Sequence, residues 1–500
     1  MNEEKKYILA IDQSTSATKI LLFNAKAELV NRVSIPHRQF YPQPGFVEHD
    51  PREIFSNTLK GMGEVIEKTG CREKEIACIA ITNQRETAMI WEKNSGEPIG
   101  MAAVWQCQRG VEYCERLRKD HKADLIMERT GLIIDPYFSA SKLQWIMDHV
   151  KGARGKMDRG ELLAGTMDSW LVWNLSGKKA HVTDFSNASR TMLLNLKEME
   201  WDQDMIDLFT LTRNMLPELV FSDQIAAYTE PGVIFKSPVP IAGLMGDSHA
   251  ALFGQNCFER GMAKATYGTG SSIMMNIGKE ALDPPDGLVC SVGWGRNKAI
   301  EYVFEGNIHC TGDTINWLVN DLKLLASPEE TEELAFSVSG SGGVYLVPAF
   351  VGLGAPYWDN KARALICGMD RGTGRAHIAR AALESIAYQV KDLVDLMVLE
   401  SGIDLKELRV DGGPTRNNFL MQFQADILGR SIVRTRIEEI SALGAVFMAG
   451  LASGIWSSLE EITELRLADK QFPPGMESET VNALYSGWKK AVKCTQQIYK

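Results

Sequence analysis

Two stretches half a chain apart share one plan, and that repeat constrains the fold more than any other feature. "KYILAIDQSTSATKILLFN" spans residues 6–24: an apolar β-rich run, a small polar turn, and a second apolar run. "MAKATYGTGSSIMMNIG", residues 262–278, repeats the plan around Gly268 to Ser271. Each reads as strand, tight turn, strand. An isolated two-stranded hairpin is marginal in water, so each must be the start of a larger sheet. Thr15 and Thr269 lie 254 positions apart, about half the chain. The repeat therefore predicts two similar domains facing each other.

The rest of the sequence supplies matching elements. "EIACIAITNQRET" and "VPIAGLMGD" read as buried strands that end in polar residues. "NFLMQFQADIL" has apolar residues at 419, 420, 423, 427 and 428, which is helical spacing. Strands and helices alternate throughout, so the expected class is α/β. The 500 residues allow roughly two to four domains. We expect the boundary near residue 255, after a helix beginning at Ser248, giving domains 1–254 and 255–500. The stretch from about 457 to 500 is expected to be a helical tail.

Charge and cysteines narrow the classes. A net charge of −10 without a Lys/Arg-rich run disfavours a nucleic-acid binder. "MNEEKKYILAIDQ" lacks a signal-peptide pattern, and no apolar run has transmembrane length. Nine scattered cysteines contain no CxxC pair, which argues against zinc and for reduced thiols in a cytoplasm.

Several constellations could carry chemistry. Asp12 ends the strand "YILAID" beside a small-residue turn, where backbone N–H groups suit a phosphate and a carboxylate suits a Mg²⁺ shell. A plain hairpin turn is the blander reading. The second turn, with Gly268 and Gly270, makes a two-sided triphosphate clamp the stronger expectation. "RVDGGPTRNNF" adds a strand–glycine–helix junction that can present N–H groups to a nucleotide. Neither GxxxxGK[ST] nor GxGxxG occurs, so a nucleotide site here is of another kind. In "TNQRET", Arg85 donates and Glu86 accepts, and together they can bracket adjacent hydroxyls of a polyol. The alternative is a surface ion pair of little worth. Trp105 and Tyr137 offer flat apolar walls.

Asp247, Ser248 and His249 are the residue types of a hydrolytic triad, yet sequence neighbours diverge where a triad must converge. No GxSxG elbow is present. Two readings of Asp247 remain: a helix N-cap, or a base that takes the proton of an attacking hydroxyl in phosphoryl transfer.

On these residues the chain resembles the FGGY family of carbohydrate kinases over essentially its full length. "YFSASKLQWI" and "ALICGMDRGTGRAHIARAALE" match the two family signatures. "GFVEHDP", "ITNQRET", "VWQCQR", "GLIIDPYFS", "TDFSNASRTML", "FVGLGAPYWD" and "RVDGGPTRNNFLMQFQADILG" are similar to the branch that phosphorylates glycerol. The resemblance implies two actin/ribonuclease-H-like domains with ATP in the cleft. Asp247 would be the general base and Asp12 the Mg²⁺ residue. Ser14, Thr15, Ser16 and Lys19 would form the first phosphate loop, and Gly268 and Thr269 the second. Gly312, Asn316, Gly413 and Asn417 fall on nucleotide positions. Arg85, Glu86, Trp105 and Tyr137 fall on polyol positions, joined by Asp247, Ser248 and Ser272. The implied reaction is ATP-dependent phosphorylation of a terminal hydroxyl of a small polyol, glycerol first, by a cytoplasmic homodimer or homotetramer without membrane insertion.

Some positions depart from the branch. Ser248 stands where glutamine is usual, Ser272 where phenylalanine is frequent, Lys19 for arginine, Ser14 for glycine and Asn316 for glutamine. Both pocket changes shorten a side chain, so a four- to five-carbon polyol or ketose is the alternative substrate. A non-kinase actin-like ATPase is the alternative from another class. Segment 228–238 has Lys236 as its one cation, and no histidine lies between 182 and 248. The bisphosphate and phosphohistidine sites of some members are therefore expected to be missing.

Overall fold

The computed structural model describes residues 6–435, 437–465 and 468–498. The first hairpin forms as β1 (Tyr7–Gln13) and β2 (Ala17–Asn24), antiparallel, with Asp12 opposite Lys19. β3 (Leu29–Pro36) continues the meander beyond β2. β4 (Ile76–Asn83) and β5 (Pro240–Gly246) add in parallel on the other side of β1. The short strand Ala227–Tyr228 flanks β5.

The second hairpin, β6 (Met262–Tyr267) and β7 (Ser271–Gly278), repeats the scheme. Next come β8 (Val289–Arg296) and β9 (Ala299–Ile308), with β9 paired to β7 and β8 outside it. β10 (Glu407–Asp411) and β11 (Ile432–Thr435) follow in parallel beyond β6. Each sheet is thus an antiparallel meander continued by two parallel strands, and the α/β expectation holds.

The tail differs from the helix expected over 457–500. A short helix at Leu459–Thr463 is followed by β12 (Ala468–Phe472), antiparallel to β11 at the sheet edge. Among the described residues of the tail, only Ser478–Ile498 form a long helix. An edge strand is made by ladder bonds to its neighbour, which leave little trace in local periodicity.

In the middle of the first sheet, large side chains face one way and mostly small ones the other. Leu9, Ile11, Ile79, Ile81, Ile241 and Leu244 enter one core, where α1 (Pro51–Thr69) packs. Asp50 caps α1 by accepting from Arg52 N–H, Pro51 opens it, and Gly70 ends it at φ 63°. Ala10, Cys78, Ala80 and Ala242 face the opposite side. Those small residues leave room for a close helix. Two helices use it: α2 (Asp247–Gly254) and α3 (Ile440–Ser453), the latter from the second half of the chain.

The contact is backbone to backbone. A Cβ on Gly254 would lie 2.4 Å from the Ile440 carbonyl oxygen, and one on Gly444 1.8 Å from that of Ala250. Glycine is required at both places. α2 begins at Asp247, one residue earlier than expected, because Gly246 is extended and serves as the N-cap. Asp247 is therefore the first helical residue and not the cap.

Gly444→Ala is expected to push α2 off α3. Overpacking of this kind costs about 1–3 kcal/mol. In a unit of this size each kcal/mol lowers Tm by roughly 2–4 °C. A thermal melt checks it, and an unchanged Tm would mean that the helices tolerate separation.

Candidate active site

After β4, the loop Gln84–Thr87 turns two adjacent charged side chains inward. Glu86 does so at φ 59°, a left-handed backbone that is uncommon for a residue with a Cβ. Arg85 is 5% exposed and Glu86 1%. The Arg85 fork meets both oxygens of Glu305 on β9, with Nη1–Oε2 and Nη2–Oε1 each 2.8 Å. Arg190 donates from Nε to Glu86 Oε1 at 2.6 Å, and its Nη1 stands 3.0 Å from Glu305 Oε2. Two cations and two anions thus close a buried ring that joins both halves of the chain.

Asp247 lies at the edge of this ring. Its Oδ1 is 3.3 Å from Arg85 Nε and accepts the Ser248 N–H at 2.7 Å. A side chain on Gly246 would place its Cβ 2.7 Å from Arg85 Cγ, so glycine lets the arginine pass. The Gly246 N–H donates to Ser186 Oγ at 2.9 Å, and Ser186 in turn donates to buried Asp184. Asp247 keeps 36% of its side chain open. The crowd of protein atoms nonetheless desolvates it and raises its pKa, against the pull of Arg85. Burial would raise Glu305 too, but Arg190 and Arg85 outweigh it and hold that carboxylate well below its usual range. Burial raises Glu86, with Arg85 and Arg190 opposing.

Trp105 and Tyr137 meet edge to face at 5.6 Å and form one wall. Arg190 lies 5.8 Å over the Tyr137 ring. The wall is tied to the first turn, since Trp105 Nε1 donates to Thr15 Oγ1 at 3.0 Å. Ser272, on β7, has its hydroxyl 3.5 Å from Glu305 Oε1. Ser248 and Ser272 are both half-buried.

The first turn is held mostly by itself. Ser14 N–H and Oγ both donate to the Ala17 carbonyl, at 3.0 and 2.9 Å, while Ser16 is exposed. Lys19 Nζ stands 3.4 Å from Asp12 Oδ2 and donates to Glu439 Oε2 at 2.7 Å. Glu439 also takes Arg32 at 2.7 Å. Asp12 is pushed up to about 6, first by burial, with Lys19 lowering it and Glu439 and Asp247 raising it.

A cleft of about 930 Å³ opens in the second half. Gly268, Thr269, Gly312, Asn316, Gly413 and Asn417 all line it, with Phe336 at 62% exposure beside them. Gly412, at φ 99°, passes so close to Tyr267 that a Cβ would lie 2.0 Å from its carbonyl oxygen. The Asn417 amide is already committed: it accepts from Leu420 N–H at 2.9 Å and donates to Thr331 Oγ1 at 3.1 Å. Ser14, Thr15, Ser16 and Lys19 are not part of this lining.

Arg190, Glu305, Glu439 and Phe336 were not singled out from the sequence. One trace of Glu305 was there: an acid inside the apolar strand run "YVFEGNI" must find a cation when buried.

Two sheets of one design, each opening on a small-residue turn, define an actin/ribonuclease-H-like fold. The N-terminal domain of the FGGY family of carbohydrate kinases matches residues 7–254, and its C-terminal domain matches 263–453. The chain belongs to that family and is a carbohydrate kinase. It is 52% identical over 487 residues to glycerol kinase 1 of Thermotoga maritima, spanning 97% of this chain and 99% of that one. It is 49% identical over 492 residues to the glycerol kinase of Halalkalibacterium halodurans, spanning 98% and 99%. The crystal structure of Plasmodium falciparum glycerol kinase with ADP aligns with a TM-score of 0.94 at 35% identity, over 98% of each chain. A xylulose kinase of Lactobacillus acidophilus, 23% identical, shares the fold with a TM-score of 0.89 over 99% of each chain.

Asp12 makes a stability prediction with a definite sign. Its folded pKa of about 6 exceeds the ordinary 3.8, so the native state binds the proton more tightly than the unfolded chain. Its contribution to stability is then lost as pH rises from 3.8 to about 6. The full cost is about 3 kcal/mol. Asp12→Asn is expected to raise Tm near about pH 8 and to lose that advantage near about pH 4. Equal Tm differences at both would contradict the burial of this charge.

Proposed function

We propose that the enzyme transfers the terminal phosphoryl group of ATP to a terminal hydroxyl of glycerol, giving glycerol 3-phosphate. One observation carries this reading: a half-open, desolvated carboxylate, Asp247, at the head of a helix and against the buried Arg85–Glu86 pair. The near-full-length identity to glycerol kinases supports the choice of polyol.

Asp247 takes the proton of the attacking hydroxyl. Burial raises its pKa, which makes it a stronger base than an ordinary carboxylate. Arg85 donates to and Glu86 accepts from the remaining hydroxyls, and Trp105 and Tyr137 cover the carbon chain. Gly268, Thr269, Gly312, Asn316, Gly413 and Asn417 hold the nucleotide, chiefly by backbone. Ser14, Thr15, Ser16 and Lys19 meet its phosphates from the other side.

Asp12 suits Mg²⁺. Among the described residues no cluster of three or more His, Cys, Asp or Glu could hold a metal unaided. A lone carboxylate fits a cation that keeps its waters and is shared with substrate phosphates. Such an ion neutralises charge on the phosphoryl oxygens.

The proposal includes a cytoplasmic location. Among the described residues no helix is long and apolar enough to cross a membrane.

Asp247→Asn is expected to cut kcat by about 10²–10⁴-fold with ATP binding retained. Wild-type kcat/KM should rise with pH through a pKa above 3.8, since the base must be ionised and burial resists ionisation. A variant that keeps more than a tenth of turnover would remove Asp247 from the role.

A second reading has its own observation. Ser248 and Ser272 put two short, half-buried hydroxyl side chains beside the base and the Arg85 clamp. They suit a four- or five-carbon polyol or ketose. A substrate panel of glycerol, erythritol, threitol, dihydroxyacetone, erythrulose and pentuloses decides between the readings. If the longer substrates win, Ser248→Gln with Ser272→Phe should shift preference toward glycerol by roughly ten- to two-hundredfold. A wild type that already prefers glycerol by about a hundredfold excludes the second reading.

A further inference from the structure

We propose that Glu305 is the positioning residue of the hydroxyl-binding pair: its carboxylate, delivered from the second half of the chain, fixes Arg85 directly and Glu86 through Arg190. The inference rests on Arg85 and Glu86 being polyol partners.

An arginine side chain has many rotamers, and a bidentate carboxylate fixes both its reach and its plane. Glu305 does this with a fully buried side chain. Oε1 takes Arg85 Nη2 and Oε2 takes Arg85 Nη1, both at 2.8 Å, and Oε2 also faces Arg190 Nη1 at 3.0 Å. With both ends of its fork committed, Arg85 is left with a buried Nε that has no hydrogen-bond partner. The direction of that donor, which faces Asp247 Oδ1 at 3.3 Å, is set by Glu305.

The clamp itself is rigid. β8 and β9 are each bonded to the first half. The Val292 N–H donates to Ser189 Oγ at 3.1 Å, next to Arg190, and the Tyr302 hydroxyl donates to the Leu196 carbonyl at 3.0 Å.

Glu305 also keeps the Arg85 fork off the base. Asp247 Oδ1 is only 3.3 Å from Arg85 Nε. An unclamped Arg85 would swing its fork onto Asp247 and pair with it fully. The charges facing Asp247 are Arg85 from the loop after β4, Lys264 from β6, Glu305 from β9 and Asp12 from β1. Removing Glu305 subtracts a negative charge and frees a positive one, and both changes favour the ionised base. The acid limb of kcat/KM therefore moves to lower pH as the base weakens.

The test compares wild type, Glu305→Gln and Arg190→Lys, with glycerol and ATP as substrates and a thermal melt for each. Glu305→Gln is expected to raise the glycerol KM by about 10–10²-fold, the scale of a slightly misplaced binding group. The ATP KM should stay within about twofold, since it reports a different cleft. The acid limb should fall to lower pH. Arg190→Lys keeps the ring charge but loses the Nε bond to Glu86, so the glycerol KM should rise with the acid limb unmoved. It carries the test alone if Glu305→Gln does not fold. An unchanged glycerol KM in a folded variant, or glycerol and ATP KM rising together, overturns the clamp while leaving the kinase reading intact. A wild type that hydrolyses ATP but phosphorylates no polyol overturns both.

Discussion

Ala250 in α2 and Gly444 in α3 approach until their backbones touch, and the position of Asp247 follows from that contact. A Cβ on Gly444 would stand 1.8 Å from the Ala250 carbonyl oxygen. The approach is possible because the strands beneath present Ala10, Cys78, Ala80 and Ala242 on that face. Close packing of this sort is intolerant of added volume. α3 belongs to the second half of the chain, so the helix that starts at Asp247 is seated on both halves at once. The Asp247 carboxylate is thereby placed by contacts from both halves of the chain.

The second determinant is desolvated charge. Arg85, Glu86, Arg190 and Glu305 are all at most 5% exposed. Burying four charges is costly, and the cost is recovered only if each finds a partner with good geometry. Here each does, and the pairing crosses from one half to the other. Asp12 and Asp247 are different. They are desolvated and pushed upward in pKa, with only partial compensation from Lys19 and Arg85. Carboxylates kept under-compensated are suited to a cation and to a proton, the roles proposed for Asp12 and Asp247.

Much of this was legible in the sequence, for definite reasons. The paired hairpins were readable because strand alternation is local and the turn residues are small. Arg85 and Glu86 were readable because two opposite charges directly after a buried strand must be placed somewhere together. The glycine turns at Gly268 and Gly413, with the family position Gly312, do line one cleft. What stayed hidden is long-range. Glu305 meets Arg85 across 220 residues, and Glu439 meets Lys19 across 420. Neither pairing has a local signature. β12 was hidden because an edge strand is made by its neighbour. Asn417 was legible through the family resemblance as a nucleotide position, but not as an amide committed to capping a helix and holding Thr331.

Phosphorus NMR on wild-type enzyme with ATP, Mg²⁺ and glycerol tests the central claim most directly, because it sees where the terminal phosphoryl group goes. A phosphomonoester resonance that grows in step with ADP, and only when polyol is present, is the result that follows from a base poised beside a hydroxyl-binding pair. Free orthophosphate released with ADP at the same rate with and without polyol would contradict it.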